Sequence, residues 1–341
     1  MSRLLAVELR RIASRRLVRL LVLGVFLVLT ITNVVQAFNH TNDLGAARAK
    51  VTAQVQQQYD EQKAQGASLN FGFRCDEGFA GAIPSDPQTG QPVLPPECHA
   101  LTVAELVDQQ MQYTDPRFLM VRDGRNMLVA GMVVAALLAF LLSASAVGAE
   151  WNSGMFASLL TWEPRRPRVL LAKTAACVAF FTVVGALVIG YQVLSAAALA
   201  QTRGSFEGMK GPVTHELAGL VGRGVVLVAL TAAAGAALAG IARSTAGAMA
   251  ILGGYLVAVE LGARNLLNGD TRWLLSTNTQ ALVGGRTTVY IPVEVPRAGG
   301  FRNVESHAVV ISAGRAAIVI ALIVAAVTLV HGLLLQRRDA N

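Results

Sequence analysis

Long apolar runs dominate the hydrophobic pattern of this chain of 341 residues. Six such runs are separated by polar segments of very different length. A helix needs roughly 20 apolar residues to cross the hydrocarbon core of a bilayer, which is about 30 Å thick. The pattern therefore predicts an all-α membrane protein with six transmembrane helices. The runs are residues 17–38, 127–148, 175–199, 217–241, 246–267 and 309–335.

The composition agrees with this pattern, since 53% of residues are apolar and 15% are charged. Soluble domains carry about 25% charged residues. The first run is longer than the apolar core of a signal peptide, and no small-x-small cleavage site follows it. We therefore interpret residues 17–38 as a membrane helix that is retained.

The net charge of +8 is unevenly distributed between the polar segments on the two sides of the predicted membrane helices. Arginines gather before the first run, between the second and third runs, at Arg243 and after the last run. Because cytoplasmic loops are enriched in Lys and Arg, we expect a multi-pass protein of the cell membrane with both termini in the cytoplasm. This topology explains the basic composition, so no nucleic-acid partner is needed.

The N-terminal segment, residues 1–16, has the pattern of an amphipathic helix. Leu5, Leu9 and Ile12 share one face of a helical wheel, and Arg10 and Arg11 lie opposite. A helix of this kind lies in the membrane interface with its arginines toward anionic headgroups. A basic flank that only fixes the topology is the alternative, and both interpretations can hold.

The segment of residues 39–126 is too long for a simple connection and is predicted to be an extracellular domain. Asn42 or Asp43 caps a predicted first helix, and Thr102 with Glu105 forms a capping box that opens a second one. Its two cysteines, Cys75 and Cys98, are expected to form a disulfide outside the cell, with two unpaired thiols as the alternative.

The second extracellular segment, residues 268–308, lies between the last two runs. Its sequence RTTVYIPVEVP, flanked by paired glycines, alternates in a way that predicts an extended strand or a hairpin. The predicted organisation thus has four parts. They are the interfacial helix of residues 1–16, the extracellular domain of residues 39–126, this segment, and a transmembrane domain of residues 17–38 and 127–335.

Sequence motifs for catalysis are missing from the chain. It has no G-x-x-x-x-G-K-[ST] phosphate loop, no G-x-S-x-G, no H-E-x-x-H and no C-x-x-C. The five histidines have no spacing typical of metal ligands, so we predict no metal site. The sequence therefore predicts a protein that is not itself an enzyme and binds no cofactor.

A few polar side chains fall within or near the apolar runs, where burial is costly. Ser143, Tyr191 and Tyr255 are candidates for lining a pathway, although small polar residues such as Ser143 more commonly serve helix packing. Glu260 and Arg264 are four residues apart on a helix and could form an ion pair at its outer end.

Residues 150–173 interrupt the apolar pattern with two tryptophans, two acidic residues and four basic residues. We predict a short helix at the cytoplasmic membrane surface. Its wheel places Trp151 and Met155 on one side and Phe156 and Leu160 on the other, which indicates contact with two bodies. An ordinary loop with positive charges toward the cytoplasm is the alternative.

This segment resembles the permease subunits of type-2 ATP-binding-cassette exporters. The likeness consists of a glutamate after the second run, a Leu-Leu-Thr, and a proline followed by basic residues that enter the third run. Met155 stands where the family commonly has threonine. The residues that carry the resemblance are Glu150, Trp151, Gly154, Leu159, Leu160, Thr161, Pro164, Arg165, Arg166 and Lys173.

The resemblance implies a transport subunit that works with a separate ATPase and with a second, identical or homologous, permease chain. ATP and magnesium would bind to the partner ATPase. A pathway would run between the two permeases, mainly along the first, second and fifth helices. The coupling helix that contacts the ATPase would comprise Glu150, Trp151, Gly154, Met155, Phe156, Leu159, Leu160 and Thr161.

Few fixed charges lie within the runs, so we expect an exporter of an amphipathic or hydrophobic molecule, such as a drug, lipid, peptide or glycolipid. One alternative is a membrane scaffold or sensor that couples an ATPase to an extracytoplasmic partner. Another is an intramembrane enzyme, for which no nucleophile–base pair is found.

Overall fold

The computed structural model describes residues 2–64, 73–75, 98–113, 115–162, 165–262, 270–296 and 302–337. Within these ranges the chain is mostly helical. It divides into two compact units, of which the first is Met1–Asn33, Val121–Ala197 and Glu207–Asn341, and the second is Val34–Met120 and Ala198–Phe206.

Five helices of the described residues are long and apolar enough to cross a membrane: Arg16–Asn39, Met120–Asn152, Arg166–Arg203, Gly211–Ala242 and Ala313–Arg337. The fifth predicted span is represented by a shorter apolar helix, Thr245–Leu261. It ends in a π-helical turn, Leu256–Leu261. Residues 263–267 of this predicted span lie outside the described residues. The structure thus confirms a helical membrane protein, while the count of six spans stays a prediction.

The remaining elements are short, and all are labelled here in chain order. The helices are α1 (Ser2–Ser14), α2 (Arg16–Asn39), α3 (Leu44–Ala64), α4 (Val103–Tyr113), α5 (Arg125–Asn152), α6 (Met155–Trp162), α7 (Arg166–Arg203), α8 (Gly211–Ala242), α9 (Thr245–Tyr255), α10 (Leu275–Gly284) and α11 (Ala313–Arg337). A π-helical turn, Met120–Gly124, precedes α5. The strands are β1 (Phe73–Cys75), β2 (Cys98–Ala100), β3 (Phe118–Leu119), β4 (Gly204–Ser205), β5 (Arg286–Pro296) and β6 (Arg302–Ser312).

Helix α5 is the core of the first unit and packs most extensively against α8. Small residues make this close packing possible. A Cβ atom at Gly235 would come within 2.4 Å of the Phe140 carbonyl oxygen and of the Ser143 Oγ. A Cβ atom at Gly148 would come within 2.4 Å of the Thr245 nitrogen. Larger side chains at these glycines would push the helices apart.

The predicted extended segment is confirmed as β5, which forms an antiparallel hairpin with β6. The last membrane helix begins at Ala313 rather than at residue 309, because β6 continues to Ser312 and pairs there with Arg286. Val309 and Val310 are β-branched residues that suit either a strand or an apolar membrane helix, and their pairing with β5 places them in the strand.

In the second unit α3 packs against α4, and β1 pairs with β2 in an antiparallel arrangement. Both predicted caps are confirmed. The Asp43 carboxylate accepts a hydrogen bond from the Ala46 nitrogen at 2.9 Å, and Thr102 and Glu105 exchange hydrogen bonds as a capping box. Strand β3 pairs in parallel with β4, with Phe118 opposite Gly204.

Candidate functional site

A glycine turn divides the charged segment of residues 150–173 before its second helix. Helix α5 ends at Asn152, and α6 begins at Met155. Gly154 between them has a φ of +69°, a left-handed conformation that glycine adopts without the strain of a Cβ atom. The single helix predicted from Glu150 to Thr161 is therefore wrong, because the chain turns at Ser153–Gly154.

The turn also changes which aromatic residues meet. Trp151 and Phe156 stack with ring centroids 4.2 Å apart and an interplanar angle of 20°. A continuous wheel placed these two residues on opposite sides, so that prediction is wrong. Phe156 is buried in a small apolar cluster with Val169, Leu170 and Leu335. The stack and this cluster attach α6 to the membrane helices.

Helix α6 keeps a separate, exposed face. Met155, Ser158 and Thr161 are all exposed, and the Met155 side chain has 43% of its surface accessible. Leu159 is partly buried, and the side chain of Leu160 lies outside the described residues. A buried anchor with an exposed, mixed face is an arrangement suited to binding a soluble partner.

A buried group of charges lies at the root of α6. Glu8 of α1, Glu150 of α5 and Lys173 of α7 are each no more than 5% exposed. The Lys173 ammonium donates hydrogen bonds to Glu8 Oε2 at 3.1 Å and to Glu150 Oε2. Three elements that are distant in sequence are therefore joined by one lysine.

Two arginines extend this group toward the surface. Arg15 Nη2 donates to Glu150 Oε1 at 3.0 Å, and Arg15 Nη1 donates to the Ser145 carbonyl at 3.3 Å. Arg11 Nη1 lies 3.3 Å from Glu8 Oε1 and 3.8 Å from Glu150 Oε1. The three cations thus outnumber the two carboxylates, and Glu8 and Glu150 both have more than one partner. We call these five residues the charge cluster.

The charge cluster is sensitive to the loss of any buried member. Removing one partner of a buried ion pair leaves the other uncompensated and costs about 3–5 kcal/mol. The cluster therefore holds α1, α5 and α7 in one arrangement at the point where α6 begins.

Glu260 has a role that the sequence did not predict. Its carboxylate accepts hydrogen bonds from the Ser276 nitrogen at 2.9 Å and from the Tyr255 hydroxyl at 3.0 Å. The Leu275 nitrogen donates to the Tyr255 oxygen at 3.2 Å. Glu260 and Tyr255 therefore cap the N-terminus of α10, where negative charge is favourable. Arg264, the predicted partner of Glu260, lies outside the described residues.

The other end of α10 is held by a cation. Arg223 of α8 donates from Nε to the Val283 carbonyl at 3.3 Å, which places its positive charge at the helix C-terminus. Thr277, Asn278, Ala281 and Leu282 of α10 are buried. This short helix is thus fixed at both ends by residues from two membrane helices.

The other two pathway candidates are engaged in helix packing. Ser143 is fully buried and donates to the Phe140 carbonyl of its own helix at 3.0 Å. The Tyr191 hydroxyl is hydrogen-bonded to the Thr30 hydroxyl at 2.7 Å, and its ring meets Phe26 edge to face. These contacts join α7 to α2. A role in a transport pathway stays a prediction for both residues.

The two cysteines that are predicted to form a disulfide, Cys75 and Cys98, lie in the second unit. Strands β1 and β2 place Cys75 directly opposite Cys98 in the backbone register. Opposed residues of antiparallel strands have Cα atoms about 4.5–5.5 Å apart, within the range that a disulfide requires. The backbone is therefore compatible with the bridge, which stays a prediction.

The sequence did not reveal that Glu8 and Lys173, two members of the charge cluster, are in contact. Glu8 is the one acidic residue among the basic residues of the N-terminal segment, and Lys173 lies close to the start of a long apolar run. The signal in each place was a single charged residue that differs from its surroundings, an acidic residue among basic ones and a lysine beside an apolar run. Their partners could be recognised only after three distant elements had been brought together.

The comparison with known families identifies the protein class. The profile of the ABC-2 family transporter proteins matches residues 6–340, which is almost the whole chain. The chain belongs to the ABC-2 transporter family. No curated protein and no solved structure matches it.

Membership of the ABC-2 family makes this chain a multi-pass transmembrane permease of an ABC transporter. Such a permease is a transport subunit, and the family as a whole associates with an ABC ATPase. The resemblance inferred from residues 150–173 is therefore confirmed. The five long apolar helices agree with this assignment.

Proposed function

We propose that this ABC-2 permease exports an amphipathic or hydrophobic molecule, driven by a separate ATPase that docks on α6. The observation that carries the proposal is the combination of the exposed face of α6 with the charge cluster at its root. ATP and magnesium bind to the ATPase subunit. Both termini, α6 and the charge cluster then lie on the cytoplasmic side.

A second permease chain completes the pathway in this proposal. Large apolar side chains are exposed along α2, among them Leu23, Leu27, Ile31 and Phe38, and on the π-helical turn that follows α9. Exposed apolar surface of this extent is covered by lipid or by another chain. The export pathway runs between the two permeases, beside α2, α5 and α9.

The docking surface is tested with Met155→Arg in the full chain, co-expressed with an ABC ATPase subunit. An arginine on the exposed face leaves the buried anchor Phe156 in place. We expect about 10- to 30-fold weaker binding of the ATPase, the loss typical of a central interface residue, measured by titration of the purified subunits.

The matched control for this test is Ser14→Arg at the end of α1. Ser14 is exposed, and its hydroxyl donates only to the Arg11 carbonyl within the same helix. Its substitution adds the same charge on the same side of the membrane and should leave ATPase binding unchanged. Equal affinity of the ATPase for the Met155→Arg and unmodified chains would contradict the proposal.

A second candidate function is a scaffold that couples the ATPase to an extracytoplasmic partner. The observation that favours it is the second unit, in which α3 and α4 pack together as a compact body. Purified chain and ATPase in lipid vesicles separate the two functions, since the exporter moves a fluorescent lipid or drug without any further protein.

A further inference from the structure

A small cavity lies where the ends of α5, α8 and α11 meet. About 10 Å³ of it is open to a molecule the size of water. This is about the least space that one water molecule needs. Its lining residues are Trp151, Gly240, Arg243, His331, Leu334 and Leu335.

Two residues that line the cavity carry buried polar atoms without a hydrogen-bond partner among the described residues. His331 is 3% exposed, and neither of its ring nitrogens is hydrogen-bonded. The indole nitrogen of Trp151 is also buried without a partner. More than about 90% of buried polar groups in proteins are hydrogen-bonded, so orphaned atoms on two residues beside one cavity point to a missing bridge.

Gly240 holds the imidazole of His331 at this place. A Cβ atom at position 240 would come within 2.0 Å of His331 Cε1 and Nε2. The ring therefore packs directly on the backbone of α8, and it cannot approach that helix more closely. The glycine provides the room that the histidine occupies.

Arg243 is the other polar residue of the cavity, but it cannot serve both groups. Its guanidinium lies over the Trp151 ring, 4.8 Å from the centroid. A guanidinium has only donors, so it cannot accept a hydrogen bond from the indole N–H. Burial of the His331 imidazole, with no carboxylate in the cavity lining, favours its neutral form.

We propose that this cavity binds one water molecule that bridges Trp151 and His331. The indole N–H donates to the water oxygen, and the water donates to the acceptor nitrogen of the neutral imidazole. A neutral imidazole has one donor and one acceptor nitrogen, so the tautomer selects the nitrogen that faces the water. The bridge joins the last turn of α5 to α11.

The bridge gives α6 a connection to the last membrane helix, a consequence that rests on the proposed function. Trp151 stacks on Phe156 of α6, and His331 belongs to α11. A displacement of α6 by the ATPase then reaches α11 through the tryptophan, the water and the histidine. The charge cluster transmits the same displacement to α1 and α7.

The water is tested by a double-mutant cycle with Trp151→Phe and His331→Leu, measured as the melting temperature of the purified full chain. Each single variant leaves one polar partner without its bridge, and we expect a decrease of roughly 2–5 °C. The double variant removes both polar partners, so its decrease should be smaller than the sum by about 2 °C or more.

The matched control is Thr182→Val. The Thr182 hydroxyl is also a buried atom without a partner among the described residues, but it does not line this cavity. Its replacement should leave the melting temperature unchanged or raise it. If His331→Leu likewise raises the melting temperature and the two effects add, the cavity is dry and the proposal is wrong.

A density map of the unmodified protein at about 2 Å resolution tests the water without any variant. Density within 2.7–3.2 Å of Trp151 Nε1 and of one His331 nitrogen supports the proposal. An empty cavity, or one filled by the Leu334 side chain, overturns it. Neither measurement uses the ATPase, so failure of the water bridge is distinguishable from failure of the docking proposal.

Discussion

At the scale of single residues, Lys173 determines how three elements meet. Its ammonium group is the shared partner of Glu8 and Glu150, and all three side chains are buried. The cost of burying these charges is offset only while each has its partners. Its pairing with Glu8 and Glu150 therefore explains why α7, a membrane helix, carries a buried lysine near its N-terminus.

Lys173→Ala should destabilise the protein by about 3–5 kcal/mol, because the buried carboxylates of Glu8 and Glu150 would lose the ammonium group that they share. The melting temperature of the purified chain measures the loss. Arg168→Ala is the control, since Arg168 is exposed on the same helix and should change the stability by less than about 0.5 kcal/mol. Similar stability of the two variants would show that the cluster holds nothing together.

At the scale of elements, α10 depends on the charges at its two ends. The carboxylate of Glu260 accepts from the first turn of this helix, and Arg223 donates to its last turn. The helix has only ten residues, and helices shorter than about 12 residues are marginal without such support.

Glu260→Gln should make the backbone amides of α10 exchange with solvent about tenfold faster, since the loss of one charged hydrogen bond is worth about 1.4 kcal/mol or more. Mass spectrometry of deuterium uptake over Leu275–Gly284 measures the change. Asp270→Asn is the control, because Asp270 bonds Arg272 outside the helix. Unchanged uptake in Glu260→Gln would contradict the capping role.

The capping box of α4 predicts a pH dependence in the second unit. The backbone N–H of Thr102, the imidazole of His99 and the Thr102 hydroxyl lower the pKa of Glu105 from 4.5 to about 2. A carboxyl whose pKa is lower in the folded state stabilises the fold above its unfolded pKa. This contribution is lost as the pH falls from about 4.5 toward 2.

Amide protection of α4, corrected for intrinsic exchange, should therefore decrease as the pH is lowered from 5 to 3. Thr102→Ala should weaken the protection already at pH 6 and reduce its pH dependence, because the hydrogen bond from the Thr102 backbone, the largest cause of the lowered pKa of Glu105, loses its fixed geometry. Constant protection down to pH 3 would contradict the assigned pKa.

The sequence predicted elements best where the signal is local. Five of the six apolar runs, the strand after Gly284-Gly285 and the caps at Asp43 and Thr102 all depend on neighbouring residues, and the structure confirms them. The break at Gly154 was missed because a wheel assumes a continuous helix. The start of α11 was misplaced because pairing with β5, a long-range contact, decides it.

At the scale of the whole molecule, family membership could be predicted from residues 150–173, but the site could not be assembled. Its decisive contacts, Glu8 with Lys173 and Glu260 with Ser276, join residues that are 165 and 16 positions apart. Charge patterns pointed to several of these residues one at a time. Their partners depend on how the helices pack, and the periodicity of the sequence carries no information about that packing.

At this scale α6 is an anchored helix with an exposed face, and the proposed function makes it the element on which the ATPase acts. Its root is fixed by the charge cluster, its side by the stack of Trp151 on Phe156, and its outer face is exposed. In the proposed function, a force on α6 is delivered to the packed membrane helices as a rigid-body displacement, which is how many transporters change their access.

The most direct test of this account is labelling of Ser158→Cys with a membrane-impermeant maleimide in sealed vesicles of both orientations. The account predicts modification only from the cytoplasmic side, and protection from it when the ABC ATPase subunit is bound. Modification from the extracellular side, or labelling at the same rate with and without the bound ATPase, would contradict it.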